Sequence, residues 1–109
     1  MQVHNFCTAG GKDLIETYID GLPIEEQGKA YDIIDMLESD GLKALEFLDT
    51  RQLSKKLWEI KFYRHNRFMY IVADKDNIYI LHACKKQKGK AEKFELEKAI
   101  ERAKELDFI

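Results

Sequence analysis

The sequence predicts a single α+β domain, ordered β-α-α-β-β-β-α, with helices packed on an antiparallel sheet. Two observations favour this class. Apolar residues recur at helical spacing over residues 12–41 and again over 92–106, whereas they alternate with polar residues between residues 57 and 84. The length of 109 residues suits one domain, and no internal repeat or Ser-rich linker divides the chain. We therefore expect one domain over residues 1–109.

The first half of the chain predicts a strand followed by two helices. Residues 2–8 alternate in the manner of a short strand, and two glycines follow it. A helix is predicted over residues 12–21, because Gly21 stands where a helix C-terminus favours glycine. Pro23 begins a second helix, since its missing N–H costs nothing in the first turn, and Gly41 ends it. The short connection predicts an antiparallel helical hairpin.

The second half predicts an antiparallel meander and a last helix. Residues 42–56 fit either a short connecting helix or a loop. Strands are predicted over residues 57–63, 67–73 and 78–84, and the short turns between them are typical of a meander. The final helix is predicted over residues 92–106. Two sets of side chains alternate on the first of these strands, Trp58, Ile60 and Phe62 on one face and Leu57, Glu59, Lys61 and Tyr63 on the other.

Charge is distributed unevenly along the chain. Residues 1–50 carry 3 positive and 11 negative side chains, whereas residues 51–93 carry 12 positive and 4 negative ones. Such asymmetry suggests an anionic partner for one surface. The alternative is a basic sheet packed near acidic helices of the same domain, and charge alone favours that alternative.

Several protein classes are excluded by what the sequence lacks. No apolar run approaches the roughly 20 residues of a membrane helix, and no signal-peptide pattern opens the chain, so we expect a cytoplasmic protein without membrane contact. The histidines and cysteines have no metal-site spacing, and no nucleotide-binding loop is present, so we expect no metal and no cofactor. Cys7 and Cys84 are expected to be small buried residues, and His82 a packed, hydrogen-bonded histidine.

A group of cations on the predicted meander is the strongest candidate for a site. If the strands pair as hairpins, Lys61, Arg67 and Lys86 are expected to converge on one edge of the sheet. Converging cations suit a phosphate ligand, and Tyr63 beside them suits stacking on unpaired bases. Each lysine taken alone is best explained as a solvated surface charge. The predicted phosphate site therefore depends on the cations lying together.

The order of several short motifs resembles a known family. The runs LWEIKF, RFMYIVADKDNIYILHACKKQKGK and ELEKAIERAKEL resemble the RelE/ParE superfamily of bacterial toxins, and within it the HigB-like, phage-derived branch. The resemblance covers about residues 2–106. It implies a type II toxin–antitoxin toxin that cuts mRNA on the ribosome by metal-free attack of a 2′-hydroxyl.

The same resemblance implies roles for individual residues. Arg67 corresponds to a phosphate-binding catalytic arginine, Lys61 to a basic residue that binds phosphate or assists proton transfer, and Lys86 to a cation that stabilises charge at the phosphate. Glu59 is expected to orient Lys61 through a salt bridge, or to act as a base. The residues expected to contact RNA are Lys85, Lys88, Lys90 and Tyr63. The implied partners are mRNA, the ribosome and a cognate antitoxin, typically a helix-turn-helix protein.

Two further interpretations stay open. A ParE-like toxin would inhibit gyrase without cutting RNA, and a decayed toxin would keep the fold without the chemistry. The lysine that closes LWEIK and the absence of a tyrosine or histidine in the C-terminal LDFI favour these alternatives.

Overall fold

The computed structural model describes all 109 residues, which form three α-helices and one five-stranded sheet. The strands are β1 (Gln2–Asn5), β2 (Asp49–Ser54), β3 (Leu57–Phe62), β4 (Asn66–Asp74) and β5 (Asn77–Lys85). The helices are α1 (Leu14–Asp20), α2 (Ile24–Asp40) and α3 (Gly89–Glu105), and a 3₁₀ helix spans Gly41–Phe47. The predicted α+β class is confirmed.

The sheet has the strand order β1-β5-β4-β3-β2. Strands β2 to β5 form an antiparallel meander, as predicted for its last three strands. The first strand is shorter than the predicted range of residues 2–8, and it lies parallel to β5, with Val3 opposite Ile78. It therefore closes the far edge of the sheet instead of pairing with a neighbour in sequence.

The ambiguous segment between α2 and β3 contains a strand that the sequence does not predict. Residues 42–56 were expected to be a helix or a loop, and they form most of the 3₁₀ helix followed by β2. The β2 sequence DTRQLS has almost no apolar alternation, because β2 is an edge strand whose residues are mostly exposed or half-buried. Pairing with β3 therefore stabilises an extended conformation of β2 that its own residues do not indicate.

Local sequence explains where the first two helices begin and end. The Asp13 carboxylate accepts hydrogen bonds from the backbone N–H groups of Ile15 and Glu16 and caps α1. Gly41 ends α2 with φ of 65°, in the left-handed region that glycine adopts without a steric penalty. The glycine and proline boundaries predicted for these two helices are confirmed.

Helices cover both faces of the sheet and create two apolar clusters. The first cluster joins α1 and α2 to one face of β3, β4 and β5, and it includes Ile19, Ile33, Phe62 and Tyr70. The second joins α3 to the opposite face and includes Leu57, Met69 and Ala99. The central strand β4 is thus buried on both faces over residues 66–71, which decides the environment of every side chain it carries.

The longest helices, α2 and α3, have 17 residues each, and neither is long and apolar enough to cross a membrane. Helix α3 begins at Gly89, before the predicted start at residue 92. Glu92, the first residue of the predicted helix, therefore lies within the first turn of α3, which packs against β5.

Candidate functional site

One end of the sheet carries a dense group of cations. Residues 61–65 close the β3–β4 hairpin, residues 85–90 connect β5 to α3, and the two segments together contain six Lys or Arg residues and no carboxylate. The backbone N–H of Lys86 donates to the His65 carbonyl at 2.6 Å, which joins the segments. We call residues 61–65 and 85–90 the basic end.

Lys61 and Lys86 belong to the basic end and Arg67 lies beside it on β4, so the predicted cations are grouped at an end of the sheet and not at an edge. Lys61 and Arg67 are directly opposite each other on β3 and β4, and Arg67 is opposite Cys84 on β5. Lys86, Lys88 and Lys90 are exposed in the segment that leaves β5. Lys61 is half-buried.

The tip of the β3–β4 hairpin has an unusual backbone. Tyr63 and Arg64 have φ of 50° and 68°, a region that few residues other than glycine, asparagine and aspartate adopt. The Tyr63 ring is 48% exposed, and together with Arg64 and His65 it lines a shallow hollow. The sequence indicated Tyr63 as a contact residue but missed Arg64 and His65, which read only as a turn.

Arg67 is not presented to solvent. Its side chain is 1% exposed, and its Nη1 donates to Glu59 at 2.9 Å and to Glu92 at 2.8 Å. Its Nη2 donates to the other oxygen of Glu92 at 2.7 Å. Burial alone would lower the pKa of the guanidinium, but the hydrogen bonds and charges of these carboxylates outweigh it and raise the pKa. Arg67 is therefore a fully charged cation neutralised by two carboxylates.

Glu59 has different partners from those that the sequence suggested. The expected salt bridge with Lys61 is not formed, because the Glu59 carboxylate is completely buried and pairs with Arg67 and with Arg51 at 3.0 Å. Arg51 belongs to β2, the strand that the sequence did not reveal. The local geometry thus makes Glu59 the centre of an arginine–glutamate–arginine network.

Lys85 is turned toward α1 and α2. Its Nζ donates to the Oδ1 of the buried Asn66 at 3.0 Å and lies 3.7 Å from Glu26. The Tyr18 hydroxyl donates to the same oxygen, and Asn66 Nδ2 donates to Glu26 at 2.6 Å. This network fastens the basic end to the helices, so part of the Lys85 charge is already engaged.

A second polar cluster lies between β5 and α3. His82, Cys84 and Glu95 place their ligand atoms within 4.8 Å of one another. His82 Nδ1 accepts from Arg102 at 2.9 Å, so its Nε2 carries the hydrogen that it donates to Glu95 at 2.8 Å. Metal coordination through Nε2 would move that hydrogen to Nδ1, facing the Arg102 donor. The hydrogen bonding therefore opposes a metal and explains the cluster as structural.

The two cysteines have opposite environments. Cys84 is 5% exposed as predicted, and burial raises the pKa of its thiol to about 12. The prediction for Cys7 is wrong, because Cys7 follows β1 in an exposed segment and its backbone forms only an isolated bridge with Asp13.

The geometry therefore defines a class of protein. It is an α+β domain with helices on both faces of its sheet and cations concentrated at one end. The family model described as phage derived protein Gp49-like (DUF891) matches residues 17–104. The chain belongs to this family, which is a family of RelE/ParE-like toxins, and a toxin of this kind has an antitoxin partner. No curated protein matches the chain.

Proposed function

We propose that the protein is a HigB-like toxin of a type II toxin–antitoxin system, acting in the cytoplasm as a ribosome-dependent mRNA endoribonuclease. The observation that carries the proposal is the basic end, whose two segments hold six Lys or Arg residues, no carboxylate of their own and the exposed side chain of Tyr63. Such a surface suits the phosphates and unpaired bases of a single-stranded RNA. Family membership supplies the toxin class.

In this proposal both reacting groups, the 2′-hydroxyl and the phosphate, belong to the RNA. Its 2′-hydroxyl attacks the adjacent phosphorus and gives its proton to water, and the bond from phosphorus to the 5′-oxygen breaks. The departing 5′-oxygen takes up a proton from water, so a 2′,3′-cyclic phosphate and a 5′-hydroxyl result. Arg67 and Lys61 bind the phosphate that gains charge, and Lys86 stabilises it from the connecting segment. Lys88, Lys90 and Lys85 contact the RNA backbone, and Tyr63 stacks on a base.

The environment of Glu59 bears on its proposed role. The Glu59 carboxylate is completely buried and pairs with Arg67 and Arg51, so it cannot come within hydrogen-bond reach of a hydroxyl on a bound RNA. We therefore propose that Glu59 positions Arg67 and does not act as the base.

Induced expression in bacteria with 5′-end mapping of a reporter mRNA tests the proposal. We expect growth arrest with new cuts on the translated message. Lys61→Ala/Lys86→Ala is expected to reduce cutting strongly, and Lys29→Ala on the exposed side of α2 serves as the matched control. Unchanged cutting in the double variant, at equal protein abundance, would contradict the proposed site.

A non-nucleolytic toxin is the second candidate, and one observation favours it. The arginine expected to bind phosphate is buried and neutralised in the free protein, as a structural residue would be. Growth arrest with DNA-damage signalling and no mRNA cuts would support a ParE-like gyrase inhibitor. A folded protein without any arrest would indicate a decayed toxin.

A further inference from the structure

The carboxylate of Glu92 occupies the position on Arg67 that a phosphate would take. Its two oxygens accept from Nη1 and Nη2 at 2.8 and 2.7 Å, a two-point arrangement that arginine also forms with phosphate. Unlike Glu59, which is completely buried, the Glu92 side chain is 32% exposed. Glu92 can therefore move into solvent, whereas Glu59 cannot.

Two further observations point to an anion at this position. Arg67 Nε is buried and has no hydrogen-bond partner, so one donor of a fully buried guanidinium is unused. Lys61 stands directly opposite Arg67, and like charges in directly opposed positions repel each other. A phosphate carries more charge and more acceptor oxygens than a carboxylate, and it suits both groups better.

Apart from the pair between Glu92 and Arg67, the segment that carries Glu92 is weakly attached to the rest of the molecule. Lys88 precedes α3 without a side-chain cap, and Gly89 begins the helix with φ of 59°. Between Gly89 and Phe94 no residue is buried, and Phe94 itself is 57% exposed. Glu95 anchors the next turn through His82. The first turn of α3 can thus open at low cost while the remainder of the helix stays in place.

We propose that Glu92 is an internal competitor of the RNA phosphate, so that the free protein is closed and RNA opens it by displacing Glu92 from Arg67. This proposal rests on the proposed function and adds the regulation of that same site. The competing carboxylate multiplies the apparent affinity for RNA by the fraction of molecules in which Arg67 is free of Glu92.

Substitution Glu92→Gln tests the proposal, because the amide keeps the size of the side chain and removes its charge. Glu97→Gln, on the same helix and 58% exposed, is the matched control for net charge. The probe is a single-stranded oligoribonucleotide with 2′-O-methyl sugars, which cannot attack its own phosphates. We expect its dissociation constant to fall by about tenfold in Glu92→Gln and to change little in Glu97→Gln.

A second measurement keeps the test independent of the variant's stability. In the unaltered protein, the Nε–H resonance of Arg67 is followed by NMR during titration with the same probe, and we expect it to shift as the probe binds. Equal affinities for both variants, or tighter binding without a shift of this resonance, would overturn the proposal.

Failure of the proposed function gives a different result. If Glu92→Gln binds the probe more tightly and the Arg67 resonance shifts, yet translating ribosomes show no mRNA cuts, the competition by Glu92 stands and the nuclease activity does not. If mRNA is cut and Glu92→Gln has no effect on binding, the nuclease stands and the competition does not.

Discussion

Replacing Arg67 by alanine should destabilise the fold strongly. The substitution leaves Glu59, which is completely buried, without its buried partner. Breaking a buried ion pair from one side costs about 3–5 kcal/mol. Glu59 keeps Arg51 at 3.0 Å, and the exposed Glu92 regains water, so we expect the lower limit of about 3 kcal/mol. For a domain of this size that free energy lowers Tm by about 10–15 °C.

Thermal and urea unfolding followed by circular dichroism measure this effect. The control is Arg64→Ala, an exposed residue of the basic end that forms no ion pair, and we expect its stability within about 0.5 kcal/mol of the original. The double variant Arg67→Ala/Glu59→Gln should lose less than the sum of the two single losses, because the uncompensated charge is removed. A Tm for Arg67→Ala within about 3 °C of the unaltered protein would refute the reasoning. A toxicity assay on Arg67→Ala consequently needs the protein's abundance measured beside it.

The remaining predictions concern thiols, acid and glycines. A thiol reagent should modify Cys7 rapidly and Cys84 only on unfolding, since burial raises the Cys84 pKa to about 12; two fast thiols per chain would contradict this. The hydrogen bond with Arg67 lowers the pKa of the Glu92 carboxyl in the folded protein. The stability that the ionised Glu92 contributes is therefore complete above its ordinary pKa of 4.5, and it is lost as pH falls through the lower folded pKa. Acid unfolding of Glu92→Gln should therefore show a shallower pH dependence there. Gly41→Ala should cost about 1–3 kcal/mol, because φ of 65° with ψ of −146° is close to a conformation that is essentially confined to glycine. Gly28→Ala inside α2, with open space at Cβ, should gain about 0.5–1 kcal/mol. Equal signs in urea unfolding would contradict the assignment.

Local patterns sufficed for most of the fold. The glycines and the proline at the helix ends, and the alternation between residues 57 and 84, act within a few residues, and the elements they predicted are present. Strand β2 was not predicted, because its strand conformation is stabilised by pairing with β3 and is not indicated by its own polar sequence. The parallel pairing of β1 escaped because its partner lies about 75 residues further along the chain.

The candidate site was predictable in composition but not in electrostatic state. The cations of residues 61–65 and 85–90 are close in space because three consecutive hairpin strands bring them together, which sequence adjacency already suggests. The neutralisation of Arg67 was not predictable, since Glu92 lies 25 residues further along the chain, on a helix whose packing against the sheet brings the two side chains together. Which carboxylates reach a buried cation depends on tertiary packing alone.

The parallel pairing of β1 with β5 sets the order in which the molecule can be completed during synthesis. β1 leaves the ribosome before the other strands, yet its only strand partner is made after residue 76, while every other pair in the sheet joins neighbouring segments. Helix α3, which covers one face of β4 and brings Glu92 to Arg67, emerges after all five strands. A nascent chain that ends before α3 therefore has a sheet with one uncovered apolar face and an arginine that only Glu59 can balance. The order of the elements thus delays closure of the sheet until β5 has been made, and neutralisation of its buried cation until α3 has been made.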